Sequence, residues 1–341
     1  MSSPFFSVLI PAYNAAKYIE FTLKSVYNQT FQDYEIVVVD DGSKDETYEL
    51  LQRQSDARLR VIRQQNAGEC ASRNRCIKEA RGRFLAFLDA DDAWESHHLE
   101  LAYNFFQQHP QFSWYFSPAV RKEQIAEELL NVSMPDSVSY CAKNWFLEVA
   151  MLPISSGCVV RSSALPSEEI FPAGVKMYGD NVGWCRIALK SPMIGTSDCS
   201  TVYYRIWSGA ATEQFNAISR GKSGLELDVL MLHQQMFSAP DCPLEARLFF
   251  RYFSYYNWWS RIRAHSMLSW IAEMKKRELV TGKWLTRWLV LFANLSDIFY
   301  RTMGKAVRRR IDSIEKEITH EAARQRVELG NSSTASDGAN R

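Results

Sequence analysis

Short apolar runs alternate with amphipathic stretches along the first 110 residues. Between the runs, apolar residues such as Ile19, Leu23 and Val26 fall at helical spacing. The runs are rich in β-branched and aromatic residues and recur at the roughly 25-residue spacing of βαβ units. They are Phe6–Ile10, Glu35–Val39, Leu59–Arg63 and Phe84–Leu88. The pattern predicts an α/β fold with a mostly parallel twisted sheet, right-handed crossovers and flanking helices.

Polar residues before the amphipathic stretches predict helix caps. Asn14 precedes the first stretch, and Ser43-x-x-Glu46 has the pattern of a capping box before the second. A further helix from about Trp94 to Gln108 is expected to end before Pro110. Later apolar runs predict three more strands: Ser113–Phe116, Ser156–Arg161 and Thr201–Arg205.

Polar clusters follow three of the predicted strands. In an open parallel sheet, ligands bind outside the carboxyl ends of the strands, so clusters at those ends should share one edge. The clusters are Pro11-Ala12-Tyr13-Asn14, Asp40-Asp41-Gly42-Ser43 and Asp89-Ala90-Asp91-Asp92. The sequence therefore predicts one ligand site formed by three loops.

The third cluster places three carboxylates within four residues. Carboxylates repel one another, whereas Mg²⁺ or Mn²⁺ binds one or two of them together with phosphate oxygens. The cluster therefore indicates a divalent metal site, with a solvated turn as the alternative. His97 and His98 follow it, and they either approach the cluster or lie on the surface of a helix.

Length and composition indicate a folded protein with two structural units. The chain has 341 residues, 46% apolar and 23% charged, with a net charge of +1. Positive charge is concentrated between Lys275 and Arg310, a segment that contains ten Lys/Arg and two Asp/Glu. Such a basic segment indicates an anionic surface as a partner, and we expect no nucleic-acid partner.

Cysteine usage and the termini indicate a cytoplasmic protein. The seven scattered cysteines form no C-x-x-C pair, which is typical of buried thiols in a reducing compartment. The N-terminus lacks signal-peptide features, and no apolar run reaches the roughly 18 residues of a membrane span. Neither G-x-G-x-x-G nor H-E-x-x-H occurs, which argues against dinucleotide redox chemistry and zinc proteolysis.

The C-terminal part has a different pattern. Residues 216–320 predict a helical, aromatic and basic region, and residues 321–341 predict a disordered tail. One helical face collects apolar residues between Trp284 and Ile298, with basic residues on either side. This face predicts docking on an anionic membrane at the inner face of the plasma membrane. Packing against the rest of the chain, or against a second subunit of a homo-oligomer, is the alternative.

Four motifs, in order, resemble glycosyltransferase family 2 and its GT-A nucleotide-sugar-binding fold. The resemblance implies a catalytic domain over residues 1–215, with nucleotide-sugar binding in 1–110 and the acceptor part in 111–215. It weakens after about residue 110. The motifs are Val8-Leu9-Ile10-Pro11-Ala12-Tyr13-Asn14, Val37-Val38-Val39-Asp40-Asp41-Gly42-Ser43, Asn66-Ala67-Gly68 with Ser72-Arg73-Asn74, and Phe87-Leu88-Asp89-Ala90-Asp91-Asp92.

The resemblance implies roles for the residues that bind the nucleotide. Pro11 and Tyr13 would flank the base, and Asp40 would accept a hydrogen bond from it. Asp41 would support the same loop. Arg73 also belongs to the implied substrate site.

The resemblance further implies that the acidic cluster is the family's DXD element. Asp89 would face the ribose or metal-bound water, and Asp91 would bind Mn²⁺ or Mg²⁺ directly, so both count as metal-site residues. Asp92 is expected to cap the next helix. A metal held there would neutralise charge that grows on the departing diphosphate.

The attacking acceptor hydroxyl needs a base, and the family places one in a Glu-Asp pair before a Trp-x-Arg helix. Here Asp180 precedes Trp184-Cys185-Arg186 at the matching distance, which makes Asp180 the implied catalytic base. Helix capping is the alternative role for Asp180. Two positions depart from the family: Gly179 replaces the Glu, and Trp207 stands where many relatives carry a metal-binding His.

The resemblance therefore implies an inverting, metal-dependent glycosyltransferase. Its donor would be a nucleotide diphosphate sugar, with uridine favoured, and its acceptor a hydroxyl of a glycan or lipid-linked intermediate of bacterial surface polysaccharide. A non-catalytic nucleotide-sugar-binding scaffold of the same fold is one alternative, motivated by Gly179 and Trp207. A nucleotidyltransferase is another, but it would need a Gly-rich basic loop where Pro11–Asn14 stands.

Overall fold

The structure is a computed structural model that describes residues 3–149, 154–175, 179–207, 241–250 and 312–324, with residues 232, 235–237 and 309. The chain divides into two compact units. The first comprises Met1–Trp145 and Val149–Ala210, and the second Phe146–Glu148 and Ala211–Arg341. The first unit contains every residue that the sequence analysis assigned to the site. The functional boundary at 215 stays a prediction.

The first four strands pair in parallel, in the spatial order β3-β2-β1-β4. They are β1 (Phe6–Ala12), β2 (Tyr34–Asp40), β3 (Leu59–Arg63) and β4 (Phe84–Phe87). Three helices connect them: α1 (Ile19–Tyr27), α2 (Thr47–Gln52) and α3 (Glu69–Glu79). Strands β1 and β4 are buried along their whole length, which explains their continuous apolar runs. The predicted fold class is confirmed.

The sheet continues beyond β4 with strands of mixed direction, giving the order β3-β2-β1-β4-β9-β6-β10-β8. A second sheet has the order β5-β11-β7. The later helices are α4 (His98–Gln108) and α5 (Gly179–Lys190). The later strands are β5 (Ala93–Trp94), β6 (Trp114–Phe116), β7 (Ala119–Lys122), β8 (Tyr140–Asn144), β9 (Cys158–Arg161), β10 (Met193–Ser197) and β11 (Val202–Arg205).

The sequence analysis expected β6, β9 and β11 and missed the other four later strands. Strand β5 has two residues, and β7 and β8 are partly exposed with few apolar side chains. Strand β10 contains Gly195, where an added Cβ would overlap the ring of Phe105. Close packing against Phe105 therefore helps to set this strand, and its sequence has no long apolar run that would predict it.

Apolar faces of α1 and α4 pack in the core with the strands. Ile19, Leu23 and Val26 are fully buried, as their spacing predicts. From α4, Phe106 stacks on Phe84 of β4 with ring centroids 4.1 Å apart. This packing fixes β4, whose carboxyl end leads into the acidic cluster. Five of the seven cysteines are buried and none forms a disulfide.

The predicted caps of α1 and α2 are wrong, because the polar side chains join two loops instead. Helix α1 begins at Ile19, and Asn14 Oδ1 accepts a hydrogen bond from the N–H of Lys44 at 2.8 Å. In return, Ser43 Oγ accepts one from the N–H of Asn14 at 2.9 Å, while α2 begins at Thr47. These bonds tie the loop after β1 to the loop after β2.

The two histidines beside the acidic cluster are buried, so the alternative that they lie on a helix surface is wrong. His98 Nδ1 lies 2.7 Å from Thr201 Oγ1, and its ring stacks on Trp94 with centroids 4.2 Å apart. His97 Nε2 lies 3.3 Å from Glu95 Oε2. Burial, together with the charge of His97, lowers the pKa of His98 to about 3. Both side chains belong to a buried polar network.

In the second unit, the structure describes helical residues 244–250 and 312–324. Leu147, Leu248 and Ala322 form a small buried cluster there. Residues 321–324 are helical, so the predicted disordered tail does not begin at 321. The predicted membrane-docking face at 284–298 lies outside the described residues. Among the residues that the structure describes, no helix has the length and apolarity needed to cross a membrane.

We predict that His98 makes the protein less stable in mild acid. The pKa of His98 is lower in the folded state than its ordinary value of 6.5, so folded protein binds fewer protons than unfolded protein. Its contribution to stability is complete above pH 6.5 and declines as the pH falls towards about 3. Between about pH 6 and pH 4, this group should cost up to about 1.4 kcal/mol per pH unit.

Urea denaturation at several pH values measures this slope. His98→Gln should flatten it, whereas His320→Gln, which changes an exposed histidine, should leave the wild-type slope unchanged. The same slope in His98→Gln and wild-type protein would contradict a buried neutral imidazole.

Candidate active site

The candidate site lies at the carboxyl ends of three neighbouring strands. Strand β1 lies between β2 and β4, with Ala12 paired to Asp40 and Leu9 paired to Phe87. The three polar clusters therefore share one edge of the sheet. At this edge Pro11 is buried in β1, while Tyr13 is 46% exposed just after it.

Asp40, the last residue of β2, is completely buried. Its Oδ1 accepts a hydrogen bond from the N–H of Ser43 at 3.3 Å. Its Oδ2 lies 3.2 Å from Arg63 Nε in an ion pair, but no group among the described residues donates a hydrogen bond to it. Buried acceptors in native proteins are usually hydrogen-bonded. Asp40 Oδ2 is therefore a buried acceptor that lacks a hydrogen-bond donor and lies beside the Arg63 charge.

Asp41 organises the loop that leads into α3. Its Oδ1 accepts hydrogen bonds from Gln64 Nε2 at 2.7 Å and from the N–H of Ala67 at 2.9 Å. Its Oδ2 accepts one from the N–H of Gly68 at 2.8 Å. Gly68 has a φ of 90°, a conformation that glycine adopts without strain. These contacts favour loop support over direct ligand contact for Asp41.

Asp92 is buried and does not cap the next helix, so that expectation is wrong. Its Oδ2 accepts a hydrogen bond from Ser156 Oγ at 2.5 Å, and its Oδ1 accepts one from the N–H of Arg205 at 2.9 Å. Burial, reinforced by Asp91 and Asp89, raises the pKa of Asp92 well above its usual range. One carboxylate of the cluster therefore has a structural role.

Asp91 is partly exposed and is held by two donors. Trp207 Nε1 donates to Asp91 Oδ2 at 2.9 Å, and Arg205 Nε donates to its backbone carbonyl at 2.8 Å. Burial raises the pKa of Asp91, and the hydrogen bond from Trp207 opposes this. No hydrogen bond to Asp91 Oδ1 is found within the described parts of the chain. Trp207 thus orients Asp91 from the position where many relatives carry a His.

Arg73 of α3 joins Asp89 to a second carboxylate. Its Nη2 lies 2.7 Å from Asp89 Oδ1 and 2.5 Å from Glu69 Oε1. The Arg73 side chain is 1% exposed, yet its Nε and Nη1 have no hydrogen-bond partner in the described structure. Burial raises the pKa of Asp89 to about 6 against the opposing charge of Arg73.

Asp180 lies in the first turn of α5, which begins at Gly179. Its Oδ2 accepts a hydrogen bond from Ser155 Oγ at 3.4 Å, and its Oδ1 accepts one from the N–H of Asn181 at 2.8 Å. Burial raises the pKa of Asp180, and the charge of Arg73 lowers it. An added Cβ at Gly179 would overlap Cys70 Sγ, so Cys70 fills the space that a glutamate would need.

The sequence analysis missed the serine pair that joins the acidic cluster to α5. Ser156 Oγ accepts from the N–H of Asp89 at 3.0 Å and donates to Asp92, while Ser155 donates to Asp180. Ser156 was placed in a strand, but β9 begins at Cys158. The available signal was two serines and a glycine directly before an apolar run. Such a short polar segment has no distinctive pattern.

The donor set fits a divalent ion that arrives with a diphosphate. Within the described residues, no group of three or more His, Cys, Asp or Glu side chains is arranged to hold a metal. Asp91 Oδ1 and the partly exposed Asp89 still offer the hard oxygen ligands that Mg²⁺ and Mn²⁺ prefer. Such ions usually complete their coordination with substrate phosphates and water.

The first part of the chain matches a known protein family. Residues 7–148 match the family model described as glycosyl transferase family 2. Residues 7–148 are therefore similar to glycosyltransferase family 2 domains, the resemblance that the motifs implied.

Two curated relatives show how far the similarity extends. An uncharacterized glycosyltransferase of Rickettsia bellii is 30% identical over 192 residues, which are 56% of this chain and 27% of the relative. The UDP-Glc:alpha-D-GlcNAc-diphosphoundecaprenol beta-1,3-glucosyltransferase WfaP of Escherichia coli is 25% identical over 232 residues, 67% of this chain and 89% of WfaP. The chain spans about a third of the length of the first curated relatives that it matches.

Two solved structures show a similar fold. S. aureus TarS 1–349 in complex with UDP-GlcNAc gives a TM-score of 0.61 at 20% identity, covering 95% of this chain and 92% of TarS. The mannosyltransferase PcManGT from Pyrobaculum calidifontis, in complex with GDP-Man and Mn²⁺, gives 0.57 at 16% identity, covering 95% and 88%. The fold is therefore GT-A, the fold that the motifs implied.

We predict that Asp41→Asn destabilises the first unit. The N–H groups of Ala67 and Gly68 now donate to the two carboxylate oxygens of Asp41. In the asparagine, an NH₂ group replaces one of these oxygens, so at least one hydrogen bond is lost. Urea denaturation should show a loss of about 1–3 kcal/mol. Asp33→Asn, at an exposed position before β2, should change stability by less than about 0.5 kcal/mol. Equal stability of the two variants would contradict the structural role of Asp41.

Proposed function

We propose that this protein transfers a sugar from a nucleotide diphosphate sugar to a hydroxyl acceptor. The observation that carries the proposal is the serine pair that links the acidic turn to Asp180. Ser156 binds the acidic turn and Ser155 binds Asp180. The acidic turn and the base candidate are thus linked through two adjacent residues, and group transfer requires the leaving group and the nucleophile to be held in one site.

The nucleotide is proposed to bind between the first two loops. Asp40 Oδ2 accepts a hydrogen bond from a base N–H, while Pro11 and the exposed Tyr13 ring flank the base. Uridine is the favoured base by resemblance to the family, and its ring N–H could donate to the Asp40 carboxylate. The UDP-Glc in the name of WfaP and the UDP-GlcNAc bound to TarS support this choice.

Mn²⁺ or Mg²⁺, when bound, supplies Lewis-acid neutralisation of the diphosphate charge. Asp91 would hold the ion through Oδ1, with Asp89 beside it. Trp207 keeps Asp91 Oδ2 hydrogen-bonded, and such a partner fixes the orientation of a metal-binding carboxylate. The Mn²⁺ in the PcManGT structure supports a metal-dependent reaction.

Asp180 is proposed as the catalytic base. It takes the proton of the acceptor hydroxyl as that oxygen bonds to the anomeric carbon. The bond from this carbon to the diphosphate breaks at the same time, and the diphosphate leaves with the electron pair. A single displacement of this kind inverts the anomeric configuration. The raised pKa of Asp180 makes it a stronger base than an exposed carboxylate.

The acceptor is proposed to be a glycan or a lipid-linked intermediate of bacterial surface polysaccharide. The diphosphoundecaprenol acceptor in the name of WfaP supports this class. A lipid-linked acceptor would place the reaction at the cytoplasmic face of the membrane. The basic segment Lys275–Arg310 would then bring the enzyme to anionic lipid.

A non-catalytic nucleotide-sugar-binding scaffold is the second candidate. It is favoured by the hydrogen bond from Trp207, which occupies one oxygen of the Asp91 carboxylate, and by Gly179, which stands where the family has a glutamate. Turnover of a nucleotide sugar by purified protein separates the two functions, because a scaffold binds the donor without breaking its anomeric bond.

We predict that Asp91→Asn lowers turnover by about two orders of magnitude or more, the scale of one lost electrostatic contact in a transition state. The change keeps the side-chain size and removes the charge that holds the metal. Sugar release or transfer from UDP-sugars, assayed with Mn²⁺, measures the effect. Asp136→Asn, exposed in the loop before β8, is the control and should retain activity. Undiminished turnover by Asp91→Asn, or by wild-type enzyme in excess chelator, would exclude the proposed metal site.

We predict that Asp180→Asn abolishes transfer but leaves donor affinity within a few fold, because a lost base affects the rate and not ground-state binding. Calorimetric titration of the donor, with turnover measured in parallel, separates the two quantities. Loss of donor binding in a folded variant would show that Asp180 serves the donor. Normal turnover would show that another group is the base.

A further inference from the structure

Glu69 carries a carboxylate into the candidate site that neither the motifs nor the proposed mechanism uses. It is the first residue of α3, and its side chain is 59% exposed. Its Oε1 lies 2.5 Å from the Arg73 nitrogen that also contacts Asp89 at 2.7 Å. Glu69 and Asp89 therefore lie on either side of one guanidinium nitrogen.

The other carboxylates of the site are connected to this pair. Asp89 and Asp180 are joined through Ser156 and Ser155, whose hydroxyls contact the Asp89 backbone and the Asp180 carboxylate. Burial raises the pKa of Asp89, Asp91 and Asp180, and the charge of Glu69 adds to the rise for each. Glu69 and Asp89 thus share the Arg73 nitrogen, and hydrogen bonds through the two serines link Asp89 to Asp180.

Arg73 shows that this place is built to receive a polar ligand. Its side chain is 1% exposed, and its Nε and Nη1 find no acceptor within the described structure. Unpaired buried donors are uncommon, because each costs free energy unless a ligand or water completes it. Hydroxyl oxygens of a sugar can accept from these N–H groups without adding negative charge.

We propose that the site selects an uncharged donor sugar and excludes uronic acids, with Glu69 as a specificity-determining residue. This inference rests on the proposed function. A uronate carboxylate would enter a site where Glu69 and Asp89 already share the Arg73 charge. It would meet repulsion from these groups and from Asp180, whereas a neutral hexose or N-acetylhexosamine would not. Repulsion of this kind is a common source of specificity.

Matched donor pairs test the proposal in full-length protein with Mn²⁺. The pairs are UDP-glucose with UDP-glucuronate and UDP-galactose with UDP-galacturonate, and the readouts are donor affinity by calorimetry and donor hydrolysis. One of the two pairs will contain the donor that the enzyme uses best. In that pair, the neutral sugar should bind and be hydrolysed better than the uronate by about tenfold or more, a modest free-energy difference for like-charge repulsion. A uronate used equally well, or better, would overturn the proposal and identify Arg73 as a carboxylate receptor.

Glu69→Gln should narrow the neutral-to-uronate ratio by about threefold or more, since one repelling charge is removed. The ratio compares two donors on the same variant, so a general loss of activity or folding cancels. Glu79→Gln is the matched control: it lies on the same helix and pairs with Arg75 at 2.8 Å, and it should keep the wild-type ratio. An unchanged ratio in Glu69→Gln would remove Glu69 from the specificity. Failure to bind or turn over any donor would instead contradict the proposed function itself.

Discussion

The partial burial of the acidic cluster after β4 is the constraint on which the site depends. Three carboxylates within four residues repel one another and lose solvation when buried, so each must find donors. Asp92 accepts hydrogen bonds from the Ser156 hydroxyl and the Arg205 N–H. Asp91 accepts one from the Trp207 indole N–H, and Asp89 accepts one from Arg73. These donors come from distant parts of the chain. Satisfying the cluster therefore brings α3, the serine pair and the segment after β11 together.

The two departures from the family pattern are consistent with this packing. At Gly179, Cys70 fills the space of a larger side chain, and the neighbouring Glu69 brings a carboxylate to Arg73. At Trp207, an indole N–H holds Asp91 where a metal-binding histidine would stand in many relatives. Each departure replaces one interaction with another at the same site. Neither leaves a gap in the part of the chain that the structure describes.

Sequence reasoning worked where local pattern carries the information. The first four strands, their parallel direction and the shared edge follow from apolar runs at βαβ spacing, and the motifs carried the resemblance to the family. It failed where a polar side chain has a distant partner. Asn14, Ser43 and Asp92 have the residue types of helix caps, but they bond Lys44, Asn14 and Ser156 across the fold. Ser155 and Ser156 showed no periodic signal, and the buried His98 depends on contacts with Trp94 and Thr201.

The central claim is that this edge of the sheet binds a nucleotide sugar through Asp40 and the acidic turn. Thermal denaturation of the full chain with UDP-glucose, UDP-GlcNAc and GDP-mannose, with and without Mn²⁺, tests it directly. Ligand at about 100 times its Kd stabilises the folded state by about 2.7 kcal/mol, so binding raises the melting temperature visibly. We expect a uridine donor with Mn²⁺ to give the largest rise, and Asp40→Asn to remove it. No rise with any donor, at millimolar concentration and with folded protein, would contradict the account.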